Sequence, residues 1–481
     1  MACLVFASCS TAASPSPSSS DAAASASAAP SPTASPPASP SSNLTPTLPP
    51  LPPTGSLPVH GTAGVAGVAP APDGMLYVLV SRQDGGVLAR LDGSGEPRPG
   101  WPITIPDAPS CAVLLPAADG SVRVLCQAEV LGGGVTPVRA FAFDQNGRLR
   151  AGWPIELACC PDGLIVARVI GDDLVMNERE LDPEFVTSRV TTIAADGTIH
   201  RGEAATYAHC CQELMSIGPD GVVYRVTPDS DISGENSAEL SAIGPAGVMP
   251  GFPIVIDGIV SPPAFDGAGR IHLTVGTPTA GGIETGPART LVLDTAGREV
   301  IGGSGNLGFA ARDSCDGIEG TCSRPAAPLV GPDGTTFVVG GTYNDTAVAA
   351  ISPIGEVLAG WPYRSNADVQ PSSICDVDTC EGYSLAAPAL GPEHVLYLIH
   401  RAADETVGSS IVAVGLDGRV RDGWPVELTR ADSQFRSVVV GSDGTAYALV
   451  IEPEGDDATS ATILAIAPDS TVLYSTTLVE P

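Results

Sequence analysis

Cysteine is the residue type whose number and spacing suggest the most chemistry in this chain of 481 residues. Leaving aside Cys3 and Cys9 near the amino terminus, ten cysteines remain, and an even number favours disulfide bonds in an exported protein. The predicted disulfide cysteines are Cys111, Cys126, Cys159, Cys160, Cys210, Cys211, Cys315, Cys322, Cys375 and Cys380.

The spacing of these cysteines narrows their pairing. Short separations predict three local bridges: Cys111–Cys126, Cys315–Cys322 and Cys375–Cys380. The adjacent pairs at 159–160 and 210–211 occupy matching positions in neighbouring repeats, so we favour cross-links between the two pairs. A vicinal disulfide within each pair is the second interpretation. A four-thiolate zinc site is the weakest, because the spacing is not Cys-x-x-Cys and an oxidising compartment disfavours it.

One acidic stretch has the opening of a calcium-binding loop. It offers hard oxygen ligands at alternate positions, at Asp229, Asp231, Ser233 and Glu235. The twelfth position is Leu240, however, where a bidentate Glu belongs. We therefore favour a polar hairpin loop without a metal. Calcium is the one cofactor that the pattern suggests, and otherwise we expect none.

Composition excludes several classes of function. All 23 basic residues are Arg, which removes Schiff-base chemistry and the phosphate-loop Lys. The formal net charge of −31 repels phosphate backbones, so we expect no nucleic-acid partner. No apolar run approaches the ~20 residues of a membrane span. We therefore expect a soluble protein that meets a membrane only through a lipid anchor.

Two series of turns recur along the chain and indicate the elements that must position these residues. The first has Pro72-Asp73-Gly74 as its clearest form, the second has Asp92-Gly93, and each occurs eight times. Gly, Asn and Asp supply the positive φ that hairpin turns need. Short β-branched and aromatic stretches such as 335–339 lie between the turns. Eight units of four short strands predict an all-β fold, an eight-bladed β-propeller of four-stranded antiparallel blades.

A Gly-aromatic-Pro motif closes five of the eight units and contains all four tryptophans of the chain. One unit contains Ala-Phe-Ala-Phe-Asp-Gln-Asn-Gly at residues 140–147, followed by Trp153. This pattern resembles the repeat of the eight-bladed quinoprotein-like propellers, a family that comprises the pyrroloquinoline-quinone type and its non-enzymatic relatives. The resemblance covers residues 61–481. It implies that the aromatic ring packs one blade onto the next, here at Trp101, Trp153, Phe252, Trp361 and Trp424. Units 3, 5 and 8 lack the tryptophan, so we expect other apolar contacts there.

The same resemblance raises the question of a quinone cofactor. Quinone-dependent alcohol dehydrogenases place a vicinal disulfide against the cofactor, and the adjacent cysteines at 159–160 and 210–211 are similar in sequence. No cofactor-stacking Trp, calcium-binding Glu/Asn pair or catalytic Asp of that family matches a position of this chain. Quinone- or metal-dependent redox chemistry is therefore the third-ranked function.

The amino-terminal region predicts an anchor and a spacer. Residues 1–9 resemble the end of a bacterial lipoprotein signal, with Cys9 as the lipid-attachment residue, although Phe6 stands where that pattern usually has Leu. Residues 10–57 are almost entirely Ser, Ala, Pro and Thr, which predicts a disordered linker. Residues 58–481 then form the propeller domain.

These features together predict a surface-anchored or secreted bacterial propeller that acts as a binding platform. We expect a monomer whose partner is a protein or glycan at the channel mouth or at the loops around it. These are the blade-entry loops that carry the cysteines and the long, variable loops at 276–287 and 452–460. The alternative is an extracellular hydrolase or lyase acting on glycans, with carboxylates converging on the channel. The sequence proposes no catalytic residue, and fold class alone does not decide between these functions.

Overall fold

The computed structural model describes most of the chain after the predicted linker. The described residues are 56–58, 64–82, 85–106, 110–127, 137–157, 166–181, 185–208, 214–229, 237–278, 285–301, 304–309, 325–342, 345–365, 368–369, 388–401, 409–428, 433–454 and 458–479. Within these ranges the chain is all-β and forms eight separate sheets, the blades of a propeller. The predicted fold class and blade number are confirmed.

The strand bounds of the first four blades follow the two predicted turn series. A short strand, β1 (Ser56–Pro58), precedes them. Blade 1 contains β2 (Gly64–Pro70), β3 (Leu76–Arg82), β4 (Gly85–Leu91) and β5 (Ile103–Pro106). Blade 2 contains β6 (Ser110–Pro116), β7 (Val122–Gln127), β8 (Val138–Phe143) and β9 (Ile155–Leu157). Blade 3 contains β10 (Ala167–Ile170), β11 (Asp173–Leu181), β12 (Phe185–Ile193), β13 (Ile199–Arg201) and β14 (Ala205–Ala208). Blade 4 contains β15 (Leu214–Ile217), β16 (Val223–Asp229), β17 (Ser237–Gly244), β18 (Gly247–Val248) and β19 (Ile254–Asp257).

The second half of the ring repeats this order. Blade 5 contains β20 (Ile259–Val260), β21 (Ala264–Phe265), β22 (Ile271–Pro278), β23 (Thr285–Leu293) and β24 (Glu299–Ile301). Blade 6 contains β25 (Leu329–Val330), β26 (Thr336–Thr342), β27 (Asp345–Ile351) and β28 (Tyr363–Ser365). Blade 7 contains β29 (Asp368–Val369), β30 (Ala389–Leu390), a 3-10 turn η1 (Pro392–His394), β31 (Leu396–Arg401), β32 (Ser410–Val414) and β33 (Val426–Glu427). Blade 8 contains β34 (Gln434–Val440), β35 (Ala446–Glu454), β36 (Ala458–Ile466) and β37 (Val472–Val479).

Each blade is a meander whose strands pair antiparallel in chain order. The first strand lies nearest the axis of the ring, because first strands of neighbouring blades contact each other, as β2 does with both β6 and β34. Strands alternate in direction, so the turns between first and second strands and between third and fourth strands share one face. We call it the turn face. The segments that join one blade to the next leave from the opposite ends of the strands.

The ring closes between blades 8 and 1. Tyr447, Tyr474 and Leu478 of blade 8 share a buried apolar cluster with Leu76 and Val78 of blade 1. The Thr476 hydroxyl donates a hydrogen bond of 2.9 Å to the Gly95 carbonyl of blade 1. On the outer edge of blade 8, β1 pairs parallel with β37. The residues that lead into blade 1 therefore also cover the last strand of blade 8.

The Gly-aromatic-Pro motif lies at five of the boundaries between blades. The four indole N–H groups each donate to a backbone carbonyl in the second turn of the following blade, at 2.8–3.3 Å. The acceptors of Trp101, Trp153, Trp361 and Trp424 are Gln145, Ala195, Leu416 and Pro468, respectively. Phe252 has no N–H to donate and packs on Tyr224 and the apolar residues of blades 4 and 5. All five aromatic–Pro peptide bonds are cis.

The glycine of the motif is required by a close backbone approach. At Gly100, φ is 90°, and an added Cβ would lie 2.5 Å from the Asn146 carbonyl oxygen of the next blade. From the other side, a Cβ on Gly147 would lie 2.7 Å from the Gly100 carbonyl oxygen. Two glycines of neighbouring blades thus interlock, which explains physically why the motif and the second turn series recur together.

Candidate functional site

A groove of about 720 Å³ opens on the turn face between blades 7 and 8. Three turns form it: the first turn of blade 7 at Glu393, the second turn of blade 7 from Gly415 onwards, and the second turn of blade 8 at Pro468 and Asp469. The groove lies directly beside two blade boundaries, because Leu416 and Pro468 accept the indole hydrogen bonds of Trp361 and Trp424. Its walls are therefore held by the interlocked boundaries rather than by free loops.

The first turn of blade 7 departs from the rule of its series. Glu393 and His394 adopt left-handed backbone conformations, with φ of 55° and 58°. In the other seven blades a glycine supplies this conformation, at Gly74, Gly120, Gly171, Gly221, Gly269, Gly334 and Gly444. Left-handed backbone costs a non-glycine residue about 1 kcal/mol or more. The exception keeps two side chains where glycine would give none.

Both of these side chains make contacts across the turn face. The Glu393 carboxylate lies 3.8 Å from the Arg421 guanidinium at the rim of the groove. His394 Nε2 lies 2.9 Å from Asp333 Oδ1 in the first turn of blade 6. The pKa of the Asp333 carboxyl is lowered, since hydrogen bonds from Thr335 and His394 outweigh the effect of burial. Blades 6 and 7 are thus linked at the edge of the site.

The lining of the groove combines charged and aliphatic groups. Carboxylates come from Glu393, Asp417, Asp422 and Asp469, and guanidinium groups come from Arg419 and Arg421. Leu416 and Val420 are each 40% exposed, which is high for large aliphatic side chains, and Pro468 adds a third apolar surface. Such a lining can hold a charged group at its rim and an aliphatic stem along its floor.

Hydrogen bonds fix the orientation and charge of one groove carboxylate. Asp469 Oδ1 accepts the Thr471 backbone N–H at 3.1 Å. This bond, with one from the Thr471 hydroxyl, lowers the pKa of Asp469 below its ordinary value, so the group is ionised near neutral pH. Beneath the groove, burial raises the pKa of Tyr397, an effect that the nearby Arg421 guanidinium opposes. Tyr397 therefore remains a neutral phenol that donates to the Gly444 carbonyl at 3.2 Å.

The predicted cysteines lie mostly outside the described residues. Cys111 and Cys126 form a disulfide between β6 and β7, where they are directly opposite each other. The other eight predicted cysteines and Cys9 fall in undescribed segments. The cross-link between the adjacent cysteine pairs therefore stays a prediction.

The predicted calcium loop is largely outside the described chain as well. Asp229 is the last residue of β16, whereas Asp231, Ser233 and Glu235 lie in the undescribed segment 230–236. Among the described residues, no group of three or more His, Cys, Asp or Glu side chains is arranged to hold a metal ion. Within the same residues, no helix is long and apolar enough to cross a membrane.

A buried constellation that the sequence did not single out joins blades 5 and 6. His272 lies 3.3 Å from the Asp266 carboxylate through Nε2 and 2.9 Å from the Thr336 hydroxyl through Nδ1. The order carboxylate, imidazole and hydroxyl is that of a nucleophilic triad. Thr336 is only 3% exposed, however, so its hydroxyl cannot reach a substrate. Since Gly267 N–H also donates to the Pro332 carbonyl, this cluster joins two blades rather than forming an active site.

The groove residues were missed because each is ordinary in the linear sequence. The one signal was the Pro392-Glu393-His394 turn, which lacks the glycine of its series. The predicted ligand-binding regions, the blade-entry loops and the loops at 276–287 and 452–460, leave from the strand ends opposite to the turn face. The cavity that the structure describes is therefore on the other face of the ring.

No family model and no curated protein matches the chain. The solved structures to which the chain is similar are of low identity, with TM-scores below 0.5. A structure titled as the eukaryotic initiation factor is 9% identical, covers 88% of this chain and 91% of its own, with a TM-score of 0.47. Acylaminoacyl peptidase of Pyrococcus horikoshii is 10% identical over 76% of this chain, with a TM-score of 0.39. Dipeptidyl peptidase 4 of Porphyromonas gingivalis is 12% identical over 87% of this chain, with a TM-score of 0.34. The chain spans about half the length of these peptidases, covering 52% and 55% of them, and the likeness carries no argument for a shared activity.

Proposed function

We propose that this propeller is a non-catalytic binding platform and that the groove between blades 7 and 8 is its ligand site. The observation that carries the proposal is the departure at Glu393 and His394, which retain left-handed backbone where the other seven blades use glycine. Natural chains break a local structural rule mainly where a side chain is needed for function. Here the side chain of Glu393 lines the groove, and His394 braces its edge against Asp333.

The anchoring of this platform is a separate part of the proposal. Cys9 would carry the lipid, and the Ser/Ala/Pro-rich segment 10–57 would hold the propeller away from the bacterial membrane. Labelling with a radioactive fatty acid tests it: we expect label in the wild-type chain and none in the Cys9→Ser variant. Equal labelling of both would contradict the anchor and leave the groove proposal untouched.

A glycan-acting hydrolase is the second candidate, and the four groove carboxylates are the observation that favours it. A hydrolase of this kind is expected to have carboxylates converging on the central channel. Among the first strands whose side chains the structure describes, none contains an Asp or Glu. Exposed carboxylates beside Arg421 are also suited to binding a charged ligand. Such binding needs no proton transfer, whereas hydrolysis does. We therefore rank binding above hydrolysis.

A groove-filling variant tests the platform directly. Val420→Trp would fill the groove, while Leu149→Trp places the same ring on blade 2 at the matching position, where the native side chain is 44% exposed. Wild type and both variants are applied to peptide and glycan arrays, and eluted ligands are weighed by mass spectrometry. We expect ligand signals that only Val420→Trp loses, with ligand masses unchanged. Cleaved ligands would favour the hydrolase, and equal binding by all three proteins would overturn the groove as the site.

A further inference from the structure

The charge of the groove identifies the class of ligand that it suits. Four carboxylates and two guanidinium groups line it, so the lining carries a net negative charge. Among the described contacts of these side chains, the ion pair of Arg421 with Glu393 is long, at 3.8 Å, and both partners are exposed, so it neutralises little. The whole chain, the groove included, has a formal net charge of −31, which attracts cationic partners from a distance.

The two acidic second turns are equivalent in structure and face the same space. Asp417 and Asp469 each stand one residue before the left-handed position of their turn, at Gly418 and Ser470. Each accepts the backbone N–H two residues ahead, at 3.2 Å and 3.1 Å, which fixes the carboxylate on the turn face. Leu416 and Val420 stand on either side of Asp417 in sequence, and their exposed aliphatic groups line the same groove. A cationic head on an aliphatic stem is the complementary shape.

We infer that the groove binds arginine or lysine side chains of a basic peptide segment on a partner protein. This inference rests on the proposed function and names its ligand class. The carboxylates of Asp417 and Asp469 accept from the cationic head, and Leu416, Val420 and Pro468 contact its methylene stem. A bare divalent cation is the competing occupant, but it would make no use of the aliphatic floor.

Calorimetric titration with a defined peptide tests the inference on the full-length protein. The probe is an acetylated, amidated Ala-Arg-Ala-Arg-Ala peptide, and its control contains citrulline, which keeps the shape of arginine without the charge. The Asp417→Asn/Asp469→Asn variant removes two groove charges. Asp196→Asn is the matched control, because Asp196 holds the same turn position in blade 3 and accepts from Thr198 N–H at 2.9 Å.

We expect the arginine peptide to bind wild type and Asp196→Asn within twofold of each other. The double variant should bind at least about tenfold more weakly, which corresponds to about 1.4 kcal/mol. Three results would each overturn the inference. They are binding of the citrulline peptide to wild type, equal binding of the arginine peptide by wild type and the double variant, and displacement of the arginine peptide by a stoichiometric concentration of calcium. If no peptide binds while Val420→Trp still abolishes the array signals, the ligand class is wrong and the platform stands.

Discussion

The eight blade boundaries divide into two groups that reach the same geometry by different chemistry. At five boundaries a Gly-aromatic-Pro motif packs a large ring against the next blade, and four of these rings donate an indole hydrogen bond. The other three boundaries lack the motif, and there apolar clusters pack the blades together beside polar contacts. Blades 8 and 1 use Thr476 and Gly95, and blades 5 and 6 use the Asp266–His272–Thr336 cluster.

The boundary between blades 3 and 4 adds several polar contacts to its apolar cluster. The Arg225 guanidinium lies 3.4 Å from the centre of the Tyr207 ring, and Asn177 donates to the Met215 sulfur at 3.1 Å. Glu203 N–H donates to the Pro245 carbonyl at 2.9 Å, so a backbone group does what an indole does elsewhere. The comparison teaches that close packing between blades can be joined by a hydrogen bond from an indole, a hydroxyl or a backbone N–H.

The largest effect is expected from breaking an interlocked glycine. Gly152 has φ of 85°, and an added Cβ would press on the Asp196 carbonyl oxygen of the next blade. Gly152→Ala should lower the free energy of unfolding by about 4 kcal/mol, from strain plus overlap. Gly74→Ala is the control, since φ is 79° but no atom lies within 4 Å of its Cβ, and it should cost about 1 kcal/mol. If urea unfolding shows that Gly152→Ala and Gly74→Ala lose equal stability, the interlock is refuted.

The polar boundary between blades 5 and 6 is tested by removing its carboxylate. Asp266 accepts from the N–H groups of Ala268 and Arg270 and from the Arg270 side chain, and its own side chain is fully buried. Asp266→Ala should cost about 3 kcal/mol because it leaves the buried His272 and the partly buried donors of the turn without their acceptor. Asp294 makes the same set of bonds to Ala296 and Arg298 at the surface of blade 5. Asp294→Ala should cost far less, and a similar loss of stability would show that burial at the boundary does not matter.

A buried histidine at a tryptophan boundary should make the stability of the protein sensitive to acid. His400, beside Tyr363 at the tryptophan boundary of blades 6 and 7, has no hydrogen-bond partner on Nε2, and burial lowers its pKa to about 4. Between pH 6.5 and 4 the unfolded chain binds this proton and the folded chain does not, so stability falls as the pH falls. At pH 5 the loss from this group is about 2 kcal/mol.

Replacing His400 should therefore make the free energy of unfolding less dependent on pH in acid. We expect the stability of His400→Leu to decline less between pH 7 and pH 5 than that of wild type, measured by urea unfolding at each pH. His200→Leu, at an exposed position of β13, is the control and should follow wild type. An unchanged slope in His400→Leu would contradict the assignment.

The smallest effect is a gain at the one motif that lacks an indole. The existing tryptophans donate to the carbonyl two residues before the left-handed residue of the next turn, which for Phe252 is Thr295. Phe252→Trp should therefore add a hydrogen bond to the Thr295 carbonyl and raise the free energy of unfolding by about 1 kcal/mol. The reverse change, Trp153→Phe, should lose about as much. A stabilised Trp153→Phe would argue against the shared role of the indole.

The sequence predicted the repeated part of this molecule well and its exceptions poorly. Turn chemistry and strand pattern are local, so the eight four-stranded blades could be inferred from residues such as Gly147 and Gly418. The contact of His272 with Thr336 joins residues 64 positions apart and depends on how two blades are rotated together. The groove likewise needs Glu393 and Asp469 from different blades. The expected apolar contacts at units 3, 5 and 8 are present, but the sequence did not predict the polar groups beside them, for the same reason.

Hydrogen exchange with and without the arginine peptide tests the central claim, that ligand binds the turn face between blades 7 and 8. We predict slower exchange confined to three segments, 392–395, 415–422 and 468–470, which line or border the groove. Protection instead at the opposite ends of the strands, next to the blade-entry segments, would contradict the account, as would a peptide that binds and leaves these three segments unchanged.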